Sequence, residues 1–254
     1  MIPRLHLDAP LSDGAGAALS PEQAHYLRNV LRREAGAPVR LFNARDGEFD
    51  AALADIGKKG ALASVGAQRR RPEKEPDVAI VFAPVKRAAV ELIVQKGTEL
   101  GASFFMPVLT ERTNADRLRT DRLALIAREA AEQCGRLSVP AVREPEKLPG
   151  ALLRWDHART LYYCDEAGDD PGEEWGGAKG RADPLLDVVK RRGAGPAALL
   201  IGPEGGFSEQ ERSWLRSLPY VAPATLGPRI LRADTAAIVS LALWQAGAGD
   251  LTRA

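Results

Sequence analysis

Apolar and polar residues follow two different patterns along the chain, and the change between them divides the sequence near residue 73. Before it, short runs with period-two alternation are bounded by glycines, as in strands joined by hairpins. The strands predicted from these runs span residues 4–8, 38–43, 48–56 and 61–68. With one helix between them, they predict a small and mostly β domain.

The helix of this first part is framed by start and stop signals. Ser20 suits the N-cap, Gln23 stands three residues later as in a capping box, and Gly36 suits the C-terminal end. Arg28 and Arg32 are four residues apart, so on a helix they would share a face with His25.

From residue 73 onward, continuous apolar runs alternate with helical patterns. The predicted strands span residues 78–85, 104–109, 160–164, 197–201 and 220–221. The predicted helices span residues 88–100, 122–136, 184–191, 208–218 and 234–245. This alternation predicts an α/β domain whose parallel sheet has helices on both faces. A polar stretch with two prolines, residues 69–76, is typical of a linker between the two parts.

Composition narrows the class of protein without identifying it. The 35 Lys and Arg nearly balance the 34 Asp and Glu, for a formal net charge of +1, which excludes a globally basic coating protein. Two cysteines and three histidines fit no disulfide scaffold and no metal-ligand spacing, so no metal is expected. Without a leader or a membrane-spanning run, we expect a soluble, cytoplasmic protein. The acidic residues between 165 and 174 predict a solvated loop.

A glycine-rich turn, residues 202–206 (GPEGG), follows the predicted strand 197–201 and precedes a helix. In open parallel sheets, ligands bind beyond the carboxyl ends of the strands, and glycines allow a ligand to approach the backbone closely. The alternative is a tight turn without a ligand. Ser208 lies where a hydrolase nucleophile would stand, but every histidine precedes it, so we interpret Ser208 as an N-cap.

A second unusual stretch, residues 226–236, joins the last predicted strand to the last helix. Gly227 and Pro228 force a bend, and Asp234 or Thr235 could cap the helix. Together, residues 201–208 (IGPEGGFS) and 226–236 (LGPRILRADTA) resemble the bacterial small-subunit (16S) ribosomal RNA (uracil-N3)-methyltransferases, the RsmE-like members of the SPOUT class.

The resemblance extends in register over nearly the whole chain. Its further segments are residues 25–32 (HYLRNVLR), 95–101 (QKGTELG), 110–112 (TER) and 132–136 (EQCGR), with Pro140. This chain departs from the family pattern at Asp234, where Glu is usual, and at Thr110, where Ser is common. The acidic segment between residues 165 and 174 is particular to this chain.

The resemblance implies a PUA-like β-barrel that binds RNA over residues 1–72. It implies an α/β methyltransferase domain with a trefoil knot over residues 73–254. The implied reaction transfers a methyl group from S-adenosylmethionine to N3 of a specific uridine in 16S ribosomal RNA. The implied partners are ribosomal RNA in the small subunit and a second copy of the chain.

The resemblance also assigns candidate site residues. The candidate catalytic residues are Arg232 for electrostatic stabilisation and Glu204 and Asp234 as bases. The candidate cofactor residues are Leu200, Ile201, Gly202, Pro203, Glu204, Gly205, Gly206, Leu226, Gly227, Ile230, Leu231, Arg232, Thr235 and Ala236. The candidate RNA contacts are Arg4, His25, Arg28, Arg32, Lys86, Lys96, Arg112 and Arg136.

Two other functions stay open at this stage. One is a SPOUT methyltransferase that acts on transfer RNA or on a ribose 2′-hydroxyl. The other is a non-catalytic knotted protein that binds RNA during ribosome assembly, which need not bind S-adenosylmethionine.

Overall fold

The computed structural model describes residues 2–57, 60–114 and 118–251. Its strands are β1 (Arg4–His6), β2 (Gly16–Leu19), β3 (Pro38–Asn43), β4 (Gly47–Ile56), β5 (Ala61–Arg70), β6 (Val78–Phe82), β7 (Phe104–Leu109), β8 (Ala141–Val142), β9 (Glu146–Lys147), β10 (Thr160–Cys164), β11 (Ala197–Ile201) and β12 (Val221–Ala224). Its helices are α1 (Pro21–His25), α2 (Arg87–Glu99), α3 (Thr120–Cys134), α4 (Leu148–Leu153), α5 (Leu185–Arg192), α6 (Glu209–Ser217) and α7 (Ala233–Ala248).

The chain divides into two compact units. The first contains residues 1–74 and 128–139, and the second contains residues 75–127 and 140–254. The C-terminal part of α3 therefore belongs to the first unit, although the chain reaches it from the second.

The first unit is built on a five-stranded sheet in the order β1-β3-β4-β5-β2. β1 pairs with β3 in parallel, and the other neighbours are antiparallel. Leu5, Leu41 and Leu53 from the strands and Leu27 from the helical segment are at most 1% exposed. They belong to one buried cluster, so the sheet curls around a single apolar core.

The helix of this unit is shorter than predicted. The capping box of Ser20 and Gln23 is present, but α1 ends at His25 and passes into a π-helical turn over Tyr26–Val30. The Leu31 N–H donates to the Tyr26 carbonyl, five residues back, at 3.0 Å. Arg32 then takes a left-handed φ of 52°, which ends the helix. The predicted extension to Gly36, and the shared face of Arg28 and Arg32, are therefore wrong.

The second unit contains a sheet in which every described pairing is parallel, in the order β12-β10-β11-β6-β7-β8, with β9 also beside β7. The predicted strands 104–109, 160–164 and 197–201 are confirmed residue for residue. All five residues of β6 and of β11 are buried. Both faces of these strands are therefore covered, as their continuous apolar sequences predict.

Helices cover both faces of this sheet. On one face, Ala79 and Val81 of β6 belong to a buried cluster with Leu152 of α4 and Leu215 of α6. On the other face, Gly97 of α2 packs so closely on the sheet that an added β-carbon would lie 2.7 Å from the Phe105 ring and 2.9 Å from Ile80. The predicted α/β fold is thereby confirmed.

The start of α7 differs from the prediction. Arg232 occupies the N-cap position and makes no side-chain capping bond. Asp234 and Thr235 lie inside the first turn, where the Asp234 carboxylate accepts a 2.8 Å hydrogen bond from the Thr235 N–H. The expectation that either residue caps the helix is wrong, although an acid in the first turn still complements the helix dipole. None of the helices in the described ranges is both long and apolar enough to cross a membrane.

Candidate active site

A cleft opens at the carboxyl edge of the parallel sheet, where β10, β11 and β12 end. These three strands are neighbours, so the segments that follow them leave the sheet side by side. The cleft and the solvent at its mouth together enclose about 550 Å³ of empty space. Its lining residues are Cys164, Glu166, Trp175, Ile201, Gly202, Pro203, Glu204, Thr225, Leu226, Gly227, Arg229, Ile230, Leu231, Ala233 and Ala236.

The glycine-rich turn forms one wall of the cleft. The Gly206 N–H donates to the Pro203 carbonyl at 2.9 Å, which closes the turn. Gly206 has a φ of 66°, and a β-carbon there would lie 3.0 Å from the Glu166 carboxylate. A β-carbon at Gly202 would lie 2.7 Å from the Phe207 ring. Both positions therefore need glycine because of conformation and close approach.

The helix after this turn fixes it in place. Ser208 and Glu211 form a reciprocal capping box at the start of α6, which confirms Ser208 as an N-cap. The buried Glu211 carboxylate also accepts from the Glu111 N–H at 2.9 Å. The neighbouring Arg112 guanidinium donates to the Gly205 carbonyl at 2.9 Å. Two adjacent residues after β7 therefore tether the turn and its helix.

The opposite wall is the bend after β12. Thr225 hydrogen-bonds across the bend to the Gly227 N–H and carbonyl, at 3.3 and 3.2 Å. Gly227 has a φ of 110°, which again favours glycine. Leu226, Ile230 and Leu231 then line the cleft with apolar side chains. Ile230 is 42% exposed, so it offers apolar surface that a flat ligand could cover.

The candidate catalytic residues lie at different positions around the cleft. Glu204 lines it and is exposed. The Arg232 side chain is 79% exposed and lies 3.6 Å from the Asp234 carboxylate, as a loose ion pair at the start of α7. Leu231 and Ala233, on either side of Arg232, belong to the cleft wall. Arg232 is thus at the rim, with a guanidinium that protein contacts hold only weakly.

Six lining residues were missed in the sequence: Thr225, Arg229 and Ala233 lie in or next to the bend after β12, and three others lie at or beyond the end of β10, a strand that no glycine motif follows. Cys164 ends β10, Glu166 stands two residues later, and Trp175 comes from the short 3₁₀ turn Glu174–Gly176. Burial, with a smaller contribution from the nearby Glu166 charge, raises the pKa of Cys164 to about 12, so its thiol is protonated at neutral pH. The position of Glu166 just past a strand end was the signal that could have found it.

The acidic segment after β10 is only in part the solvated loop that was expected, because Glu173 and Glu174 are exposed but the start of the segment is not. Asp165 is 1% exposed and accepts from Arg212 at 2.9 Å and from Arg216 at 2.6 Å. Asp169 pairs with Arg212 at 2.5 Å. The two arginines stand one turn apart on α6, so they hold the start of the segment against that helix. The expectation failed there because the partners lie more than forty residues away in the sequence.

The candidate RNA contacts in the first unit differ in exposure and in the bonds that they already make within the protein. His25, Arg28 and Arg32 are exposed. Arg4 is enclosed: its guanidinium contacts the Glu48 carboxylate at 3.2 Å and donates to the carbonyls of Glu132 and Arg136 at 2.9 and 3.0 Å. Arg4 therefore joins β1 to the end of α3. Arg136 is half-buried, and its guanidinium donates to the Ser138 hydroxyl at 2.6 Å.

The candidate RNA contacts in the second unit also differ in exposure and in their partners. Lys86 is exposed at the start of α2, and Lys96 pairs with Glu99 at 2.8 Å. Arg112 contacts the glycine-rich turn, as described above. Among the described residues, no group of three or more His, Cys, Asp and Glu side chains could hold a metal ion.

Comparison with known proteins identifies the family to which the chain belongs. The sequence model of an RNA methyltransferase domain matches residues 72–245, which is more than half of the chain, and that of an RNA methyltransferase PUA domain matches residues 19–66. The chain belongs to the RNA methyltransferase family. Within this methyltransferase, the matched domain contains the whole cleft.

Named relatives agree with that assignment. The Ribosomal RNA small subunit methyltransferase E of Synechocystis is 32% identical, over 90% of this chain and 72% of its own length. The protein of the same name from Rickettsia conorii is 28% identical, over 94% of this chain and 93% of its own length. The crystal structure of the Neisseria gonorrhoeae methyltransferase E, bound to S-adenosylmethionine, superposes with a TM-score of 0.82 at 26% identity, over 99% and 100% of the two chains.

The cleft of this methyltransferase presents surfaces that suit S-adenosylmethionine. The apolar wall at Leu226, Ile230 and Leu231 can pack against a purine. Gly202 and Gly206 let the turn pack closely against the Phe207 ring and the Glu166 carboxylate, which bounds the cleft on this side. A carboxylate in the wall can balance the positive charge that the donor carries.

Proposed function

We propose that the chain is an S-adenosylmethionine-dependent methyltransferase that modifies N3 of a specific uridine in 16S ribosomal RNA. The observation that carries this proposal is the cleft between the glycine-rich turn and the bend after β12, in a chain of the RNA methyltransferase family. Relatives named as small-subunit methyltransferase E support the substrate.

The residues proposed to hold the cofactor come from the two walls. Leu200 and Ile201 lie in β11 beneath the turn, while residues 202–206 offer backbone groups. On the other side, Leu226, Gly227, Ile230 and Leu231 would hold the adenine, and Arg232, Thr235 and Ala236 lie at the start of α7. When bound, S-adenosylmethionine supplies an electrophilic methyl group, so neither a metal nor a covalent nucleophile is part of the proposal.

The chain itself must prepare the acceptor nitrogen. N3 of neutral uracil carries a proton, and a nearby base must remove it while a cation stabilises the anion that spreads over O2 and O4. We assign the stabilising role to Arg232, whose guanidinium is at the rim of the cleft and only loosely paired. Glu204 and Asp234 are the candidate bases, and Glu204 lines the cleft itself.

RNA binding is assigned to both parts of the chain. Residues 1–72 form the proposed RNA-binding domain and residues 73–254 the proposed catalytic domain. Phosphate contacts would come from the exposed His25, Arg28, Arg32 and Lys86, and from Lys96, Arg112 and Arg136. Arg4, which was also a candidate, is given a structural role because protein acceptors surround its guanidinium. The target uridine must be unpaired or flipped out, because N3 lies on its pairing edge.

Three further properties belong to the proposal through family likeness. The last segment of the chain is proposed to thread through a loop as a trefoil knot. Two copies are proposed to form a homodimer, and the enzyme is proposed to act in the cytoplasm, where ribosomes are assembled.

Nucleoside analysis tests the proposed reaction. Small ribosomal subunits from a strain that lacks this protein are incubated with the purified chain and labelled S-adenosylmethionine, then digested and analysed by mass spectrometry. The expected product is N3-methyluridine at a single position of 16S RNA. Label on a ribose, or on transfer RNA instead, would transfer the assignment to one of the alternative methyltransferases. Cofactor binding without any methylated RNA would favour an assembly protein.

A further inference from the structure

The acidic segment after β10 places a carboxylate and an aromatic ring beside the glycine-rich turn. A β-carbon on Gly206 would lie 3.0 Å from the Glu166 carboxylate and 3.5 Å from the Trp175 ring. Both side chains therefore lie against the same glycine, and both line the cleft. Neither was among the residues that the family motifs suggested.

The position of Glu166 is fixed from both sides. Arg212 donates to the Asp165 carboxylate at 2.9 Å and to the Ala167 carbonyl at 2.7 Å, so it grips the residues before and after Glu166. Arg216 holds Asp165 as well, at 2.6 Å. The bonds of Arg212 and Arg216 to Asp165 and Ala167 therefore hold the Glu166 carboxylate in the wall of the cleft.

Trp175 is held in an unusual conformation. Its φ and ψ are 54° and 29°, a left-handed geometry that a bulky residue seldom adopts. Backbone bonds across the segment maintain it: the Gly168 N–H donates to the Trp175 carbonyl at 2.9 Å, and the Asp170 N–H donates to the Gly176 carbonyl at 3.0 Å. Such strain persists only where the surroundings enforce it, and it is concentrated at ligand sites.

The environment of Glu166 favours a cationic ligand. Burial raises the pKa of its carboxyl group, and the Asp165 charge adds to this effect. Its own backbone N–H opposes the shift, as do Arg212 and Arg181. Arg212 is engaged with Asp165 and Asp169, and Arg181 donates to the Gly177 carbonyl at 2.8 Å. A positive charge in the cleft would stabilise the ionised carboxylate, and an aromatic face beside it would add a cation–π attraction.

We propose that Glu166, assisted by the indole of Trp175, recognises the positive charge of the methyl donor and so makes this chain prefer S-adenosylmethionine to S-adenosylhomocysteine. The two molecules differ by one methyl group and by the sulfonium charge, which the product lacks. Glu166 is then a cofactor-binding residue that retains the donor and helps to release the product after transfer. This inference rests on the proposed function.

Calorimetric titration with three probes tests the inference. S-adenosylmethionine has a sulfonium, sinefungin has an ammonium group in the same region, and S-adenosylhomocysteine is neutral there. In Glu166→Gln we expect the dissociation constants of the two cationic probes to rise roughly tenfold, equivalent to about 1.4 kcal/mol, and that of the neutral probe to change less than twofold. Glu174→Gln removes an exposed charge from the same segment and should leave all three constants unchanged.

Two more measurements complete the test. Glu166→Asp keeps the charge, so it should preserve the preference for the cationic probes even if all three bind less tightly. Melting temperatures show that each variant is folded. An equal loss for all three probes in Glu166→Gln, or no loss, overturns the inference while the proposed function stands. If the unaltered chain binds none of the probes, the proposed cofactor is wrong, and the inference fails with it.

Discussion

The buried ion pairs of Asp165 provide the sharpest test of how the cleft is held. Arg212→Met removes the guanidinium that contacts Asp165 at 2.9 Å but keeps a long apolar side chain. Breaking a buried ion pair by removing one partner costs about 3–5 kcal/mol. Because Arg216 still neutralises Asp165 at 2.6 Å, we expect the lower end, about 3 kcal/mol. For a unit of this size that corresponds to a melting temperature lower by about 6–12 °C.

The matched control is Arg191→Met, the same substitution in the same unit. Arg191 pairs with Asp183 at 2.6 Å, but both side chains are more than half exposed. Exposed pairs contribute about 0–1 kcal/mol, so this variant should unfold almost as the unaltered chain does. Denaturant titrations of both variants give the comparison. If Arg212→Met loses no more free energy of unfolding than Arg191→Met, the buried network does not stabilise the segment. The same samples should show weaker cofactor binding in Arg212→Met, because the residues that flank Glu166 lose their anchor.

Four other outcomes are expected. Arg232→Ala should abolish most methyl transfer to 16S RNA even at saturating S-adenosylmethionine, and transfer near the normal rate, with the cofactor still bound in calorimetry, would exclude the electrostatic role of Arg232. Gly206→Ala, at a φ of 66° and beneath Glu166, should weaken cofactor binding, whereas Gly195→Ala, in open space, should not. Ser208→Ala should lower the free energy of unfolding by about 1 kcal/mol through loss of the capping box, with Ser213→Ala on the same helix as its control in denaturant titrations. Only the ionised Glu166 carboxylate attracts a cation, and the pKa of this group is raised. Affinity for S-adenosylmethionine should therefore be full above that pKa and fall as the pH drops through it. Calorimetry of Glu166→Gln at several pH values should show no such dependence.

Much of the second unit was predictable because its strands are continuous apolar runs. Strands such as β10 and β11 are buried on both faces, so their ends coincide with the ends of the apolar pattern. The rule that ligands bind at the carboxyl edge then located the glycine-rich turn. Strand order was not predictable in this way, since adjacent positions in the sheet join β12 to β10 and β11 to β6.

The sequence-based predictions that were wrong have a common physical origin. The helix after Ser20 begins as its capping box predicts, but its end depends on how Leu27 enters the core and on the turn at Arg32. Arg4 looked like a free cation because its acceptors, Glu132 and Arg136, lie more than 120 residues away. Local patterns report capping and burial well, whereas the partners of charged side chains are set by tertiary contacts.

The same distinction changes the meaning of the nearly zero net charge. The net charge of +1 counts the acids between residues 165 and 174 against the arginines of the chain only in bulk. In the structure Asp165 and Asp169 are neutralised one by one by Arg212 and Arg216. Pairing leaves little net field from these four residues at distances beyond the screening length. Among the described residues, Glu166 makes no ion pair of this kind, so the attraction for a cation is concentrated at the cleft and not spread along the segment.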